Sequence, residues 1–385
     1  MSIVIDYTKG FFEAAPSGET VGDISGNATL DLSSGNVFSH TPTANTTFVF
    51  SNPPASGTAQ GFTLKVTGAN VTAGYDLANA SYDSVSFSVA AQDTLPLGLT
   101  FNPNGLKLYI IGNSNDSVFQ YTLSSAFDLS TASYDSVSFD LSSQDSAPTS
   151  VAFNLDGTKM FVAGIVGQNI YQYSLSTGFD ISTASYDSVS FNVSSQVASP
   201  VDLVFNSNGT KMFVIDFVSD SVYQYSLSAA FDLSTASYDS LSFSVATQET
   251  SPTSIAFNPD GTKMFVAGTV NDSVYQYGLS TGFDISTASY DSVSFSVNSQ
   301  DGEPRSIAFK SDGSKMYVVG SINDTIYQYS TGTSAPVTFN YPSSVDWPSG
   351  TAPDAPADGE TDVLVFYTED GGTTYYGFQA GDAMA

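Results

Sequence analysis

The sequence predicts an all-β fold: a five-bladed β-propeller inserted in a loop of a small β-sandwich. Three observations carry that expectation. The stretch FNPDGTKMFVAGTVNDSVYQY, which starts at Phe257, recurs in altered form from Phe101, Phe153, Phe205 and Phe309, always 52 residues apart. Each repeat holds four short strand candidates divided by turn residues, the pattern of a propeller blade. The two flanks also read as strands joined by Gly, Pro and Asn turns, and neither alone is long enough for a comfortable core.

Charge narrows the function classes. Among 385 residues, 38 are acidic and nine basic, for a net charge of −29. Such a chain has little with which to neutralise phosphate, so no nucleic-acid partner is expected. It contains no cysteine, which excludes disulfides and thiolate metal sites. No apolar run approaches the ~20 residues of a membrane-spanning helix, so no membrane insertion is expected. The start, MSIVIDYTKGFF, lacks the basic and apolar regions of a signal peptide, which predicts synthesis and assembly in a host cytoplasm.

In chain order, residues 1–26 read as an N-terminal arm. Ile3, Val4 and Ile5 are consecutive and apolar, and with Phe11 and Phe12 they suggest a strand that docks on a neighbouring subunit. Residues 27–68 and 335–385 read as the halves of one split β-sandwich that serves as an anchoring domain. Within the second half, DVLVFYT and TTYYGFQAG flank EDGG, a hairpin signal. Residues 69–334 form the propeller. Thr253–Phe257 supplies an inner strand ending at NPDG, where Pro presets φ and Gly accepts a positive φ. Lys263–Ala267 is apolar after its first residue, as a strand covered on both faces should be. Ser273–Leu279 follows, and then Asp291–Val297, where Val and Phe alternate with Ser as in an outer strand with one wet side. Repetition starts with an outer strand, Tyr82–Val89, and ends on a third strand, Thr325–Tyr329. Pairing these two closes the ring and removes two open edges.

PTSIAFNPDGTKMFVAGTVNDSVYQY resembles the repeats of the YVTN and lactonase-like propeller families across residues 75–330. The flanks carry a second resemblance. TTFVFSNPPASGTAQGFTLKVTG and YPSSVDWPSGTAPDAPADGETDVLVFYTEDGGTTYYGFQAGDAMA are similar to a module of virion structural and fibre proteins from marine tailed bacteriophages. In those proteins the two parts are nearly contiguous, whereas here the propeller separates them. The resemblance implies a particle protein.

Candidate chemistry is sparse. The single histidine, His40, lies in a flank among Ser and Thr and is expected at the surface. No Ser-His-Asp set, Cys nucleophile or His-rich metal site can form inside the ring. Lactonase-like propellers can hold calcium in the channel, which needs inward carboxylates. Inner strands such as TSIAF and RSIAF offer apolar and Ser/Thr residues with one Arg, so neither calcium nor another cofactor is expected.

Lys107, Lys159, Lys211, Lys263 and Lys315 recur after the NPDG-type turn, where copying the blade copies the lysine. Asp76, Asp128, Asp180, Asp232 and Asp284 suit Asx-type turns. Departures from the repeat point more sharply to function. Phe217 stands where other copies have Asn113, Ile165, Thr269 and Ser321, Gly167 and Gln168 alter one loop, and Arg305 is the only arginine. Arg305, Phe217 and the lysine ring are the candidate surface contacts.

From sequence, the expected function is a non-enzymatic surface protein of a tailed-phage virion, as a capsid decoration or head fibre. The sandwich would attach an oligomer to other virion proteins, with the propeller displayed toward host-surface glycans. The alternatives are a tail fibre or receptor-binding protein, a lactonase-like hydrolytic propeller, and a marine bacterial surface adhesin.

Overall fold

The computed structural model describes residues 26–42 and 44–384, together with short strands at 5–6, 10–11 and 18–20. The chain divides into two compact units, residues 1–72 with 334–385, and residues 73–333.

The second unit is a ring of five four-stranded antiparallel sheets, as the 52-residue period predicts. The first blade runs from the inner strand Pro96–Phe101 through Lys107–Gly112 and Ser117–Leu123 to the outer strand Ala132–Asp140. The last blade has Pro304–Phe309, Lys315–Gly320 and Thr325–Ser330, and takes its outer strand, Ser81–Ser88, from the start of the repeat region. Tyr82 lies opposite Tyr329 and Ser88 opposite Thr325, so the ring closes by the expected pairing. Second and third strands are buried almost throughout, while outer strands alternate between half-buried and exposed. Each layer between blades is an apolar core of its own. Met264 and Val266 of the fourth blade, for instance, pack with Phe213 and Ile215 of the third.

Turn residues fix each blade's ends. Gly261 has φ +71°, and a Cβ there would sit 2.3 Å from Cδ2 of Phe283, whose ring covers the turn. Asp284 caps the short 3₁₀ turn Ile285–Thr287 by accepting the Ser286 N–H at 3.1 Å. The loops between second and third strands each place one residue at positive φ: Asp116, Gln168, Asp220, Asp272 and Asp324. Turn geometry therefore unites these five positions even where Gln replaces Asp.

The first unit holds a six-stranded and a three-stranded sheet around one core. Gln60–Thr67 from one flank pairs antiparallel with Thr361–Thr368 from the other over eight residues, with Leu64 opposite Leu364 and Phe62 opposite Phe366. Thr361–Thr368 continues through the EDGG turn into Tyr375–Met384. The strand Asn70–Ala73 leads toward the ring and pairs with Thr333–Pro336, which leads out of it.

His40 departs from expectation. It is buried rather than exposed, with Nε2 3.0 Å from Thr46 Oγ1 and its ring edge-on to Phe48 at 5.4 Å. Alternation along Val37–His40 puts Phe38 and His40 on the inward face together. Of the docking-arm residues, Ile3 and Phe12 lie outside the described residues. The backbones of Ile5 and Phe11 pair with each other. Among the described residues, no helix is long and apolar enough to cross a membrane.

Candidate functional site at the channel mouth

Each inner strand begins with a bulge that follows its first proline: register shifts between Pro96 and Gly98, Pro148 and Ser150, Pro200 and Asp202, Pro252 and Ser254, and Pro304 and Ser306. An extra residue at such a bulge is re-aimed off the ladder. The five bulged residues, Leu97, Thr149, Val201, Thr253 and Arg305, all line one cavity of about 260 Å³, with Ile165, Ser199 and Phe217. The structure thus brings together the two sharpest departures from the repeat, Arg305 and Phe217, although they come from the fifth and third blades.

Arg305 is held on its own blade. Its Nη2 donates to Glu303 Oε2 at 2.6 Å and its Nε donates to Ser321 Oγ at 2.8 Å, while Ser321 Oγ donates to Glu303 Oε2 at 2.9 Å. The Ser321 hydroxyl, and then the Arg305 charge, hold the Glu303 carboxyl below the ordinary glutamate range. The two cavity threonines are occupied: Thr149 donates to the Pro200 carbonyl at 2.9 Å and Thr253 to the Pro304 carbonyl at 2.8 Å.

One residue further along the inner strands, Gly98, Ser150, Asp202, Ser254 and Ser306 form the next level. Asp202 is a buried carboxylate that the sequence reading of the inner strands overlooked. It accepts from Ser150 Oγ at 2.5 Å, Ser254 Oγ at 2.6 Å, Leu203 N–H at 2.8 Å and Ile255 N–H at 2.9 Å, tying three blades together. Burial raises its pKa against the pull of these hydrogen bonds. Beyond this level, a second cavity of about 320 Å³ is lined by Leu99, Val151, Leu203, Ile255 and Ile307, with Asp202 among the lining residues. The two cavities therefore lie on opposite sides of the Asp202 level.

Among the described residues no group of three or more His, Cys, Asp or Glu side chains could hold a metal. Both oxygens of Asp202 are already taken by hydroxyl and amide donors.

The lysine ring lies elsewhere, bonded in part within single blades and in part to the next blade. Lys107 pairs with Asp135 and Lys315 with Asp83, each at 2.6 Å. Lys211 donates to the Phe283 carbonyl at 2.8 Å and Lys263 to the Tyr75 carbonyl at 2.9 Å. Lys159 is half-buried, and its charge adds to the Ser234 hydrogen bond that chiefly lowers the pKa of Asp232. None of the five lines either cavity. Sequence reasoning missed Glu303 and Asp202, yet both were legible by the criterion that found Arg305. Other copies have Leu95, Ala147, Ser199 and Ser251 in place of Glu303, and Gly98, Ser150, Ser254 and Ser306 in place of Asp202.

A family model described as "Lactonase, 7-bladed beta-propeller" matches residues 125–357, more than half of the chain. It describes seven blades, and this ring has five. The match overturns the expectation of a protein without enzymatic activity. No curated protein matches. Similar solved structures include a periplasmic gluconolactonase of Pseudomonas aeruginosa, at 14% identity and TM-score 0.40, covering 64% of this chain and 70% of that one. A functionally unknown protein of Desulfotomaculum acetoxidans aligns at 13% identity and TM-score 0.38, covering 75% and 87%. A β-propeller domain from Myceliophteria thermophila aligns at 12% identity and TM-score 0.39, covering 61% and 83%.

Proposed function

Because the chain belongs to the lactonase family of β-propellers, we propose that it hydrolyses lactones in the cavity shared by Arg305 and Phe217. The observation that carries this reading is Arg305, which lines that cavity and is held there by Glu303 and Ser321 of its own blade. A lactone carbonyl against the guanidinium would be polarised, and the guanidinium N–H groups not bound to Glu303 or Ser321 would donate to the oxyanion of the tetrahedral intermediate. Glu303, ionised at neutral pH and half-exposed beside the cavity, would take a proton from the attacking water. The water oxygen forms the new bond to the carbonyl carbon, and collapse breaks the bond to the ring oxygen. That oxygen leaves with the proton from Glu303 and becomes the alcohol of the ring-opened hydroxy acid.

Support for a carrier role of the first unit is the interruption of one β-core by the whole ring. With the flank resemblance, this favours a hydrolase borne on the surface of a tailed-phage particle, attached as an oligomer to other virion proteins and facing host-surface glycans. Antibody labelling of purified virions tests that part alone.

For the activity, the full chain is assayed by pH-stat titration on glucono-δ-lactone and γ-butyrolactone derivatives. Arg305→Met and Glu303→Gln should each lower kcat/KM by about 100-fold, the usual cost of losing an oxyanion partner or a general base. Wild-type rates at background on every lactone, or variants as active as wild type, overturn the reading.

A further inference from the structure

Five copies of one unit should surround the axis with five equal sectors, yet the mouth is lopsided. Its one charged lining residue belongs to the fifth blade: Arg305, held by Glu303 and Ser321. The rest of its lining, from the other four blades, sets the apolar Leu97, Ile165, Val201 and Phe217 among Thr149, Ser199 and Thr253. The loop residue just outside this lining is aliphatic and exposed in four blades: Val166 68%, Val218 65%, Val270 54% and Ile322 59%.

Charge at this end disfavours an anion. Glu303 offsets the positive charge of Arg305 at 2.6 Å, and no lysine lines the cavity. The nearby loop carboxyls Asp272 and Asp324 have pKa values raised by burial and then by neighbouring carboxylates, Asp301 and Glu303 for the first, Asp93 and Asp301 for the second. Carboxylates crowded around the one that holds Arg305 also repel a phosphorylated or carboxylated ligand. At about 260 Å³ the cavity sits just below the usual range for drug-sized ligands, which suits one small ring and a short chain.

Resting on the lactone-hydrolase reading, we propose that the substrate is an uncharged lactone carrying an aliphatic chain, with its carbonyl at Arg305 and its chain over Phe217 toward Val218. Exposed aliphatic residues beside a half-apolar cavity are a liability to a soluble surface unless an apolar ligand covers them. Phosphorylated sugar lactones lack both the chain and the neutrality that this mouth selects.

The test measures kcat/KM of the full chain on 4-alkyl-γ-butyrolactones from methyl to hexyl, with 6-phosphogluconolactone as the anionic comparison. Efficiency should rise about threefold per methylene until the chain leaves the cavity, and the phosphorylated lactone should fall at least 100-fold below the hexyl member. Phe217→Ser should flatten the chain-length dependence. Val270→Ser, at an exposed position of the fourth blade, should leave it intact. A flat series, or a preference for 6-phosphogluconolactone, overturns the assignment. Calorimetric titration with the matching alkyl lactams separates this proposal from the hydrolysis itself. Binding that strengthens with chain length and is lost in Phe217→Ser upholds the ligand class even if nothing is hydrolysed, and absence of both binding and turnover overturns it.

Discussion

At Asp216 the third blade exchanges two positions that the other blades keep fixed. Asp93, Asp145, Glu249 and Asp301 each face a glycine of the second strand: Gly112, Gly164, Gly268 and Gly320. A Cβ on Gly112 would lie 2.1 Å from Asp93 Cγ, so glycine is required there. The third blade has Val197 for the acid and Asp216 for the glycine, and the carboxylate still ties the same loops, accepting from Ser199 N–H at 2.7 Å and Ser219 N–H at 3.2 Å. Gly112→Ala should therefore destabilise the ring by about 1–3 kcal/mol through overpacking. Asp93→Val with Gly112→Asp, which copies the third blade, should recover most of a loss that each single change incurs. Urea unfolding of the four proteins measures the coupling, and additive losses would refute it.

Glu303 gives a pH prediction at the same scale. A carboxyl held below its usual range stays a base to lower pH, so the acid limb of activity should lie below the ordinary glutamate range. Ser321→Ala removes the largest cause of that lowering and should move the limb upward, as a pH–kcat/KM profile would show. Asp202 has the opposite sign. Its folded pKa is raised, so the folded state holds the proton more tightly and stability from this group falls as pH rises through that interval. Relative to Asp202→Ser, wild type should gain stability as pH falls toward the ordinary aspartate range, measured by chemical denaturation.

Between elements, glutamines of the third strands stitch blade to blade. Gln120 Oε1 accepts Ile181 N–H at 3.0 Å, Gln172 accepts Leu233 N–H at 3.1 Å, and Gln224 accepts Ile285 N–H at 3.3 Å. Their Nε2 groups donate to Asp135, Asp187 and Asp239 on the outer strands of their own blades. Gln276 keeps the bond to Asp291 but its Oε1 has no hydrogen-bond partner. The last inter-blade stitch before the ring closes is thus missing. Gln172→Ala leaves the buried Leu233 N–H without an acceptor and should cost about 1–3 kcal/mol. Gln276→Ala strands no such donor and should cost clearly less. Equal losses in thermal or urea unfolding would contradict the stitching role. The repeat shows the glutamine in every copy, but only the packing of neighbouring blades shows which copy is unpaired.

For the whole molecule, closure and insertion are linked. The ring is completed by Ser81–Ser88 on Thr325–Ser330, so the ends of the repeat region are neighbours. The flanks share one core in which Phe62 and Phe366 stack at 4.9 Å. Replacing residues 73–333 by a short Gly/Ser loop should leave a folded β-domain. Loop-closure cost changes only by about 0.6 kcal/mol per doubling of length, and a shorter loop lowers it. Circular dichroism and urea unfolding of the spliced chain check this, and an unfolded product would show that the flank core needs the ring. Residues 73–333 alone should fold as well, whereas removal of residues 81–88 should expose an edge and promote association.

The sequence by itself determined the number of blades, the strand that closes the ring and the pairing of the flanks, because period, alternation and turn residues are local signals that copying preserves. It also marked Arg305 and Phe217 as departures from the repeat. Only the tertiary structure decided that these two line one cavity, because bulges at the starts of five inner strands turn residues from every blade toward one mouth. It alone placed His40 in a core and Asp202 between three blades. Burial of a polar side chain depends on partners remote in sequence, and no local pattern records which hydroxyls and amides will stand ready to satisfy it.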